Sequence, residues 1–475
     1  MNSTSNSDGN DELSEVERFL YGRLNYERQG LPGGSMGLGL RRMRRLMRAM
    51  GDPQDSLRIL HVAGSKGKGS TCTMLAAALS AEGYRTGLFC SPHLHTIRER
   101  YRIDGGMISQ AAFLALTDEI RPVVERIDQA DPEGIPLTFF EITTAMGIVH
   151  FARKRCSAVV LEVGMGGRLD STNIVRPLVS VITSISLEHT RQLGPTTYLI
   201  AGEKAGIIKR CGNAISGVRD PDARRRIAEV AACRGADLKQ VDTDYTYDES
   251  IGAFDSDGVR PAVIDVRTWN SRWDLVRVPF LGPHQAENAA LALAVLDRLG
   301  ELGLSVSRGS VDRGWNGLEM SARVEVMTTG GTQIVVDGAH SPASAEALAA
   351  TLDRHFAPVE GKRVLVFGTT REKDMTGQLQ ALLPRFDEVV VTRYANNPRA
   401  RCLDETCRAV TDLGYRVTHV EDRLEGALRT AIREAGSQGR VVVTGSLFLA
   451  AEVLEVLDRT RPALANPDNT GLNER

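Results

Sequence analysis

HVAGSKGKGST, residues 61–71, is the stretch whose reading decides the fold. From Gly64 to Ser70 it alternates small residues with Lys66 and Lys68. The common nucleotide loop reads G-x-x-x-x-G-K-[ST]. This segment departs from it twice. Val62, not glycine, stands six before Lys68, and Gly69 separates Lys68 from the hydroxyl of Ser70. The parts of a phosphate cradle are still present. Glycines at 64, 67 and 69 let backbone N–H groups approach an anion. Lys68 supplies a point charge, and Ser70 offers a hydroxyl to a divalent cation. The flanks fit as well. Leu57–Val62 (LRILHV) predicts a buried strand, and Thr71–Ala81 (TCTMLAAALSA) predicts a helix. A phosphate loop requires that setting of strand, glycine-rich turn and helix. A basic βα turn with solvated lysines is the other reading of this segment taken alone.

Working outward, 475 residues exceed what one core accommodates and predict two domains. The chain is 42% hydrophobic and 25% charged, ordinary for a soluble globular protein. A net charge of −2 argues against a nucleic-acid partner. The densest basic run is RRMRRLMR, 41–48. It carries Met43, Leu46, Met47 and Met50 on one helical face, so it reads as an amphipathic helix with a solvated basic side, not a membrane-surface helix. The seven cysteines are scattered without a C-x-x-C. Free thiols in a reducing cytoplasm are the simplest account. No apolar stretch approaches membrane-spanning length, and the polar, acidic start is unlike a secretion signal. A cytoplasmic location and a monomeric chain are expected.

Residues 57–217 alternate strand and helix patterns, with strands at Ala158–Val163, Val179–Ile185 and Asn213–Gly217. Apolar runs separated by helices indicate a parallel sheet covered on both faces. Residues 238–280 lack helical periodicity and predict short antiparallel strands attached to the first domain. Residues 284–303 predict a long helix. A second α/β series has strands at Gln333–Val336, Lys362–Phe367, Glu388–Thr392, Arg416–Val420 and Arg440–Thr444, with helices at Leu424–Ala435 and Leu447–Leu457. The resulting division is a disordered tail at 1–14, a first domain at 15–318, a second at 319–461 and a tail at 462–475. Ligands of open parallel sheets bind at strand carboxyl ends. Glu162, His189, Asp337 and His340 all fall at or just after such ends.

The motifs then follow in a fixed order: GSKGKGS (64–70), SPHL (91–94), FFE (139–141), LEVGMGGRLDSTN (161–173), LEHTRQLG (187–194), GEKAGIIK (202–209), LGPHQAENAA (281–290), DGAHSP (337–342) and TGSLFLAAEVL (444–454). On these motifs, from about Arg18 to Leu457, the chain resembles the folylpolyglutamate synthase/dihydrofolate synthase family of the Mur ligase superfamily. That family's loop is G-x-x-G-K-G-S, so the extra glycine is its normal pattern. The resemblance implies an α/β chain with an N-terminal P-loop ATPase-like domain of the Mur ligase central type and a smaller, C-terminal Rossmann-like domain that is doubly wound.

The resemblance also implies a reaction. ATP phosphorylates a carboxylate of a reduced folate or of dihydropteroate, and the amino group of L-glutamate displaces the phosphate. Lys68, Glu162, His189 and Lys204 would serve catalysis. Gly64, Gly67, Lys68, Gly69, Ser70, Asn288, Arg323, Asp337 and His340 match ATP-binding positions. Ser70, Glu162 and Ser91 match ligands of the nucleotide Mg²⁺. His189 and a carbamylated Lys204 would hold a second metal. Phe140 and Asp170 match pterin-binding positions, although Phe140 reads equally as core packing. Lys204 on its own would read as half of a surface pair with Glu203.

Three positions depart from the family pattern. Lys66 stands where Asn is usual, Ser321-Ala322-Arg323 replaces P-G-R, and Ser341 replaces Asn in DGAHSP. None removes a charged catalytic group. Two other readings stand beside the folate ligase: a different Mur-type amide ligase, which the SPHL, FFE and LDSTN segments disfavour, and a catalytically degenerate paralogue that only binds folate or nucleotide.

Overall fold

The computed structural model describes residues 5–26, 39–131, 134–395 and 399–464. The chain forms two compact units. The first comprises residues up to 248, 264–276 and 287–318; the second comprises 249–263, 277–286 and everything from 319 onward.

The first unit is built on eight strands: β1 (Ile59–Ala63), β2 (Thr86–Phe89), β3 (Tyr101–Ile103), β4 (Gly106–Met107), β5 (Ala158–Glu162), β6 (Val179–Ile182), β7 (Asn213–Ser216) and β8 (Asp237–Gln240). Their spatial order is β4-β3-β2-β5-β1-β6-β7-β8. The pairs from β2 to β8 are parallel, and β3 and β4 close the edge antiparallel. β1, β5 and β6 are buried along their whole length, as the continuous apolar runs require. The strand β2 (TGLF) is absent from the sequence expectation; four residues that include Thr and Gly carry too little pattern to be noticed. β1 lies between β5 and β6, so the chain leaves it on one side and returns on the other. The loop after β1 therefore opens at a crevice in the sheet order, where ligands of such sheets sit.

The helix after that loop runs Lys68–Glu82, three residues earlier than expected. Its N-cap is Gly67 at φ 82, a left-handed conformation that costs glycine little. No side chain caps the helix, so its first N–H groups remain available to a ligand. The helix Arg308–Trp315 packs against it closely, and Trp315 Nε1 donates to the Met74 carbonyl at 2.9 Å.

The basic run lies in the helix Leu40–Ala49. Met43, Leu46 and Met47 are buried as their spacing predicts. Arg42 is buried too, against the carboxylate of Glu141 at 3.3 Å. The expected tail at 1–14 requires correction. A helix spans Ser5–Tyr21, because Val16 and Leu20 bury in the core with Leu13 packed alongside, and the helix continues from them toward the N-terminus. At the other end, Leu447–Leu464 is helical beyond the expected limit of 457. Residues 1–4 and 465–475 lie outside the described residues.

The segment 238–280 divides between the units, and so corrects the expectation that it belongs wholly to the first. It contributes β9 (Thr246–Ile251), β10 (Ala262–Arg267) and β11 (Arg272–Arg277), a sheet in the order β11-β10-β9.

The second unit carries β12 (Glu325–Thr329), β13 (Thr332–Val336), β14 (Arg363–Phe367), β15 (Glu388–Thr392), β16 (His419–Glu421) and β17 (Arg440–Thr444). Their order is β12-β13-β17-β14-β15-β16, with only β12 antiparallel to its neighbour. Ile334, Val366, Val390 and Val442 form its buried spine. All seven cysteines are free. Among the described residues no helix is long and apolar enough to cross a membrane.

Candidate active site

The first unit gathers most of the predicted residues at the carboxyl end of β1 and its neighbours. The loop is clamped to the segment after β6. Ser65 N donates to the Ser184 carbonyl at 2.8 Å, Lys66 N to Ser184 Oγ at 2.9 Å, and Thr183 Oγ1 to the Lys66 carbonyl at 2.6 Å. Ser186 N donates to Ser65 Oγ at 3.0 Å. Sequence reading missed these hydroxyls; TSIS directly after a strand, 183–186, is the signal that points to them. On its other side Gly67 faces Asn288, on the helix Pro283–Glu301. A Cβ on Gly67 would lie 2.1 Å from Asn288 Oδ1.

Two lysines meet at one atom. Lys68 Nζ donates to the Gly64 carbonyl at 3.0 Å, and Lys204 Nζ donates to the same oxygen at 2.8 Å. Lys204 is not the half of an exposed Glu203 pair that its neighbour suggests. It is buried, 2% exposed, and it pairs with Glu188 at 3.1 Å, while Glu203 is bound to Arg168. Burial first, and the Lys68 charge second, pull its ammonium down to about 8 against the opposing pull of Glu188. Such like-charge crowding is costly unless an anion is brought to it.

Glu162 ends β5, in register with Val62 of β1. It is 4% exposed, and its Oε2 accepts the backbone N–H of Ser91 at 3.0 Å. Ser70, also buried, occupies the first turn of the helix after the loop. After Glu162 the chain turns through 164–168 and lies directly on the Glu203–Lys204 backbone. A Cβ at Gly167 would stand 2.8 Å from the Lys204 carbonyl, so only glycine permits this approach.

His189 adopts φ 48, left-handed for a non-glycine residue, and heads the short helix Thr190–Leu193 with an exposed ring. Partial desolvation lowers its pKa; Glu188 opposes that, and the Lys204, Lys68 and Lys66 cations add to it. Lys66 is exposed and makes no side-chain bond among the described residues, so it adds positive potential only.

Phe140 packs at the rim of the core, 6.2 Å from Phe89 between ring centroids, and remains half-buried. Asp170 is first of all a turn organiser. Its Oδ2 accepts Met165 N at 2.9 Å, and its Oδ1 accepts Thr172 N at 3.0 Å and Thr172 Oγ1 at 2.5 Å. Burial raises its pKa, and these donors work against that. One lone-pair position on Oδ2 is left for a ligand.

Arg323, Asp337 and His340 belong to the second unit. Asp337 Oδ2 accepts Val324 N at 2.9 Å and Oδ1 accepts Ala339 N at 2.8 Å. Burial raises its pKa, opposed first by the Arg323 charge. His340 Nδ1 lies 2.8 Å from the Gly338 carbonyl, so Nδ1 carries the proton. The departures from the family pattern have local accounts. Ser341 is the N-cap of the helix Pro342–His355, with its hydroxyl accepting Ser344 N, a task at which serine equals asparagine. Ala322 sits at φ 57, the left-handed conformation that glycine would take in P-G-R.

Oxygen donors with room for phosphate and water suit Mg²⁺. The Ser70 hydroxyl and the Glu162 carboxylate are oxygen donors of that chemistry. The second metal does not fit the side chains as they stand: Lys204 is a hydrogen-bond donor filled by Glu188 and Gly64, and among the described residues no three His, Cys, Asp or Glu gather as a metal site.

Residues 62–296 match the Mur ligase middle domain, and residues 322–447 match the Mur ligase glutamate ligase domain. A dihydrofolate synthase/folylpolyglutamate synthase of Mycobacterium tuberculosis is 34% identical over 88% of this chain and 90% of its own length. A longer bifunctional relative from Haloferax volcanii, whose name joins folylpolyglutamate synthase to dihydropteroate synthase, is 34% identical over 87% of this chain. The chain spans about half of that relative, 48%. Among solved structures, M. tuberculosis folylpolyglutamate synthase complexed with ADP superposes with a TM-score of 0.81 at 32% identity, covering 94% of this chain and 98% of that one. Escherichia coli FolC in complex with DHPP and ADP superposes with a TM-score of 0.76 at 30% identity, covering 94% and 98%. The chain belongs to the folylpolyglutamate synthase/dihydrofolate synthase family of Mur ligases.

Proposed function

We propose that the protein is an ATP-dependent ligase that joins L-glutamate to the carboxylate of a reduced folate, of dihydropteroate, or of both. It would act as a cytoplasmic monomer on small molecules. The observation that carries this reading is the convergence of Lys68 and Lys204 on the Gly64 carbonyl, beside the uncapped helix start and the Glu162 carboxylate. Such a site receives a polyphosphate. The solved relatives with ADP, and with DHPP and ADP, support nucleotide and pterin in one protein.

A carboxylate is a poor electrophile, because it is an anion and oxide is a poor leaving group. Transfer of the γ-phosphate to it removes both obstacles, and the amine of glutamate then expels phosphate. The approach of carboxylate to triphosphate joins two anions, so fixed positive charge lowers the barrier. Lys68 and the N–H groups at the start of its helix hold the phosphates. Ser70 and Glu162 would hold Mg²⁺, with Ser91 orienting Glu162 through its N–H; the ion would screen the phosphate charge. Asn288 steadies the loop from the side of Gly67. Phe140 offers a ring face to the pterin, and Asp170 Oδ2 accepts one of its N–H groups. Arg323, Asp337 and His340, in the second unit, are the remaining ATP-binding positions of this reading. We take Lys204 to be carbamylated in the working enzyme: a pKa of about 8 leaves neutral amine near physiological pH, and that is the form that adds CO₂. The Lys204 charge, which now adds to the lowering of the His189 pKa, would then be reversed in sign. No step is routed through a second metal.

The test is isotopic. With ¹⁸O in the reacting carboxylate of the pterin substrate, each released phosphate should carry one labelled oxygen. Unlabelled phosphate beside amide product would exclude the acyl-phosphate route. Assays run side by side with dihydropteroate and tetrahydrofolate identify the substrate.

A further inference from the structure

His61 lies in the middle of β1, fully buried between Leu161 of β5 and Ser180 of β6, where the strand pattern calls for a valine or leucine. Among the described residues its Nδ1 has no hydrogen-bond partner. Its Nε2 lies 2.8 Å from Thr172 Oγ1, the ring's only hydrogen bond among those residues. Thr172 Oγ1 in turn lies 2.5 Å from Asp170 Oδ1.

The direction of this chain of bonds can be worked out. Asp170 accepts two backbone N–H groups, from Met165 and Thr172, one on each oxygen. Burial raises the pKa of Asp170, while these two donors and the Lys68 charge oppose that and favour the ionised carboxylate. An ionised carboxylate can only accept, so the Thr172 hydroxyl gives its proton to Asp170. A hydroxyl has one proton, so His61 must be the donor to Thr172. His61 is therefore the Nε2–H tautomer, and its bare Nδ1 is left in the core. Burial keeps the ring neutral by pushing its protonation down to about 3, with the Lys209 charge adding to the effect. A ring that leaves one polar atom unmet and spends the other on Thr172 is poorly explained as filler. An aliphatic residue would fill the volume without the cost of a buried unpaired acceptor.

We infer that His61 is a positioning residue for Asp170: acting through Thr172, it fixes the carboxylate so that the remaining lone pair of Oδ2 points to the pterin. The inference rests on the reading of Asp170 as a pterin contact. His61 touches neither substrate nor nucleotide and acts only through Thr172. The bond to Thr172 holds the hydroxyl rotor in the one orientation that donates to Oδ1. Without it the hydroxyl is free to turn, and the carboxylate loses a donor that sets its plane. β1 also leads into the phosphate loop, so a purely structural role would disturb ATP and pterin alike. A positioning role disturbs the pterin alone.

The experiment is steady-state kinetics with separate titrations of pterin substrate, ATP and glutamate. The variants are Asp170→Asn, Thr172→Val, His61→Phe and His61→Gln, each checked for native circular dichroism. Thr172→Val tests the same chain should His61→Phe fail to fold. His61→Phe and Thr172→Val should each raise the pterin KM about tenfold, the effect of one lost hydrogen bond, and leave the ATP KM within about twofold. His61→Gln, whose amide nitrogen reaches to the place of Nε2, should restore most of the loss. A raised pterin KM in Asp170→Asn with no change in His61→Phe and Thr172→Val would overturn the relay while keeping the pterin contact. An unchanged pterin KM in Asp170→Asn would overturn both. ATP and pterin KM rising together, without rescue by His61→Gln, would assign His61 to packing and end the proposal.

Discussion

Replacement of Lys68 by methionine removes one ammonium and keeps the stem. Lys68 and Lys204 donate to one carbonyl at 3.0 and 2.8 Å, so their nitrogens lie within about 6 Å of each other. At about 6 Å and an effective dielectric near 20, two like charges repel by roughly 3 kcal/mol. The free site therefore holds its cations under strain, and a phosphate group relieves it. An ammonium about 4 Å from a phosphate charge gains roughly 4 kcal/mol at the same dielectric, less the water it sheds. Lys68→Met should then lose roughly 3–4 kcal/mol of transition-state stabilisation, a rate fall of about 10²–10³. The fold should survive, since Gly67 caps the helix with backbone alone. The assay is phosphate release that depends on pterin and glutamate together, with a thermal melt of each protein. Lys66→Asn is the control: Lys66 is exposed and unbonded, so its loss should cost less than about threefold. Equal damage from the two substitutions, or Lys68→Met retaining more than about a tenth of the activity, would show that another group holds the phosphates.

Lys204→Met should abolish turnover yet stabilise the protein relative to wild type kept free of CO₂, in which Lys204 is an uncarbamylated amine. The fold holds this ammonium at about 8 against an ordinary 10.5, so between pH 8 and 10.5 the unfolded chain binds a proton that the fold does not. Stability therefore rises with pH across that window, and below it the buried cation costs roughly 3 kcal/mol. Melts at pH 7 and pH 9.5 should show a gain at the lower pH that shrinks at the higher; no gain at pH 7 would contradict the burial argument. Arg42→Met leaves Glu141 buried without its cation and should destabilise by about 3–5 kcal/mol in urea titration, where a loss under about 1 kcal/mol would refute a buried pair. Ala322→Gly relieves a left-handed alanine by about 1–2 kcal/mol but loses a buried methyl and gains chain entropy of similar size, so the melt should move by less than about 1 kcal/mol either way.

What the sequence determined by itself was the fold class, most of the buried parallel strands and the strand ends at which the candidate residues stand. Those features are local. An apolar run such as AVVLE or RVVVT is a strand because its residues are, and the glycines of Gly67-Lys68-Gly69-Ser70 mark a turn whose backbone N–H groups would suit a phosphate. Glu162, Asp337 and His340 were legible because strand ends are where side chains escape a packed sheet. Tertiary structure decided the pairings. Nothing adjacent to Lys204 says that it leaves Glu203 to Arg168 and reaches Glu188 and Gly64, since the contact with Gly64 joins residues 140 apart in the chain. The same is true of the clamp from Thr183 and Ser184 to Lys66, of Asn288 against Gly67, and of His61 joined to Asp170 through Thr172. Asp170 entered as a pterin-binding position by resemblance, and the fold spends three of its lone pairs on its own turn. The helix at Ser5–Tyr21 was illegible in a polar, acidic stretch, because its stability comes from burying Val16 and Leu20 against a core formed by residues far along the chain. Local propensity reports what a segment can become. Which charge faces which, and so which pKa moves, depends on distances that only the closed fold creates.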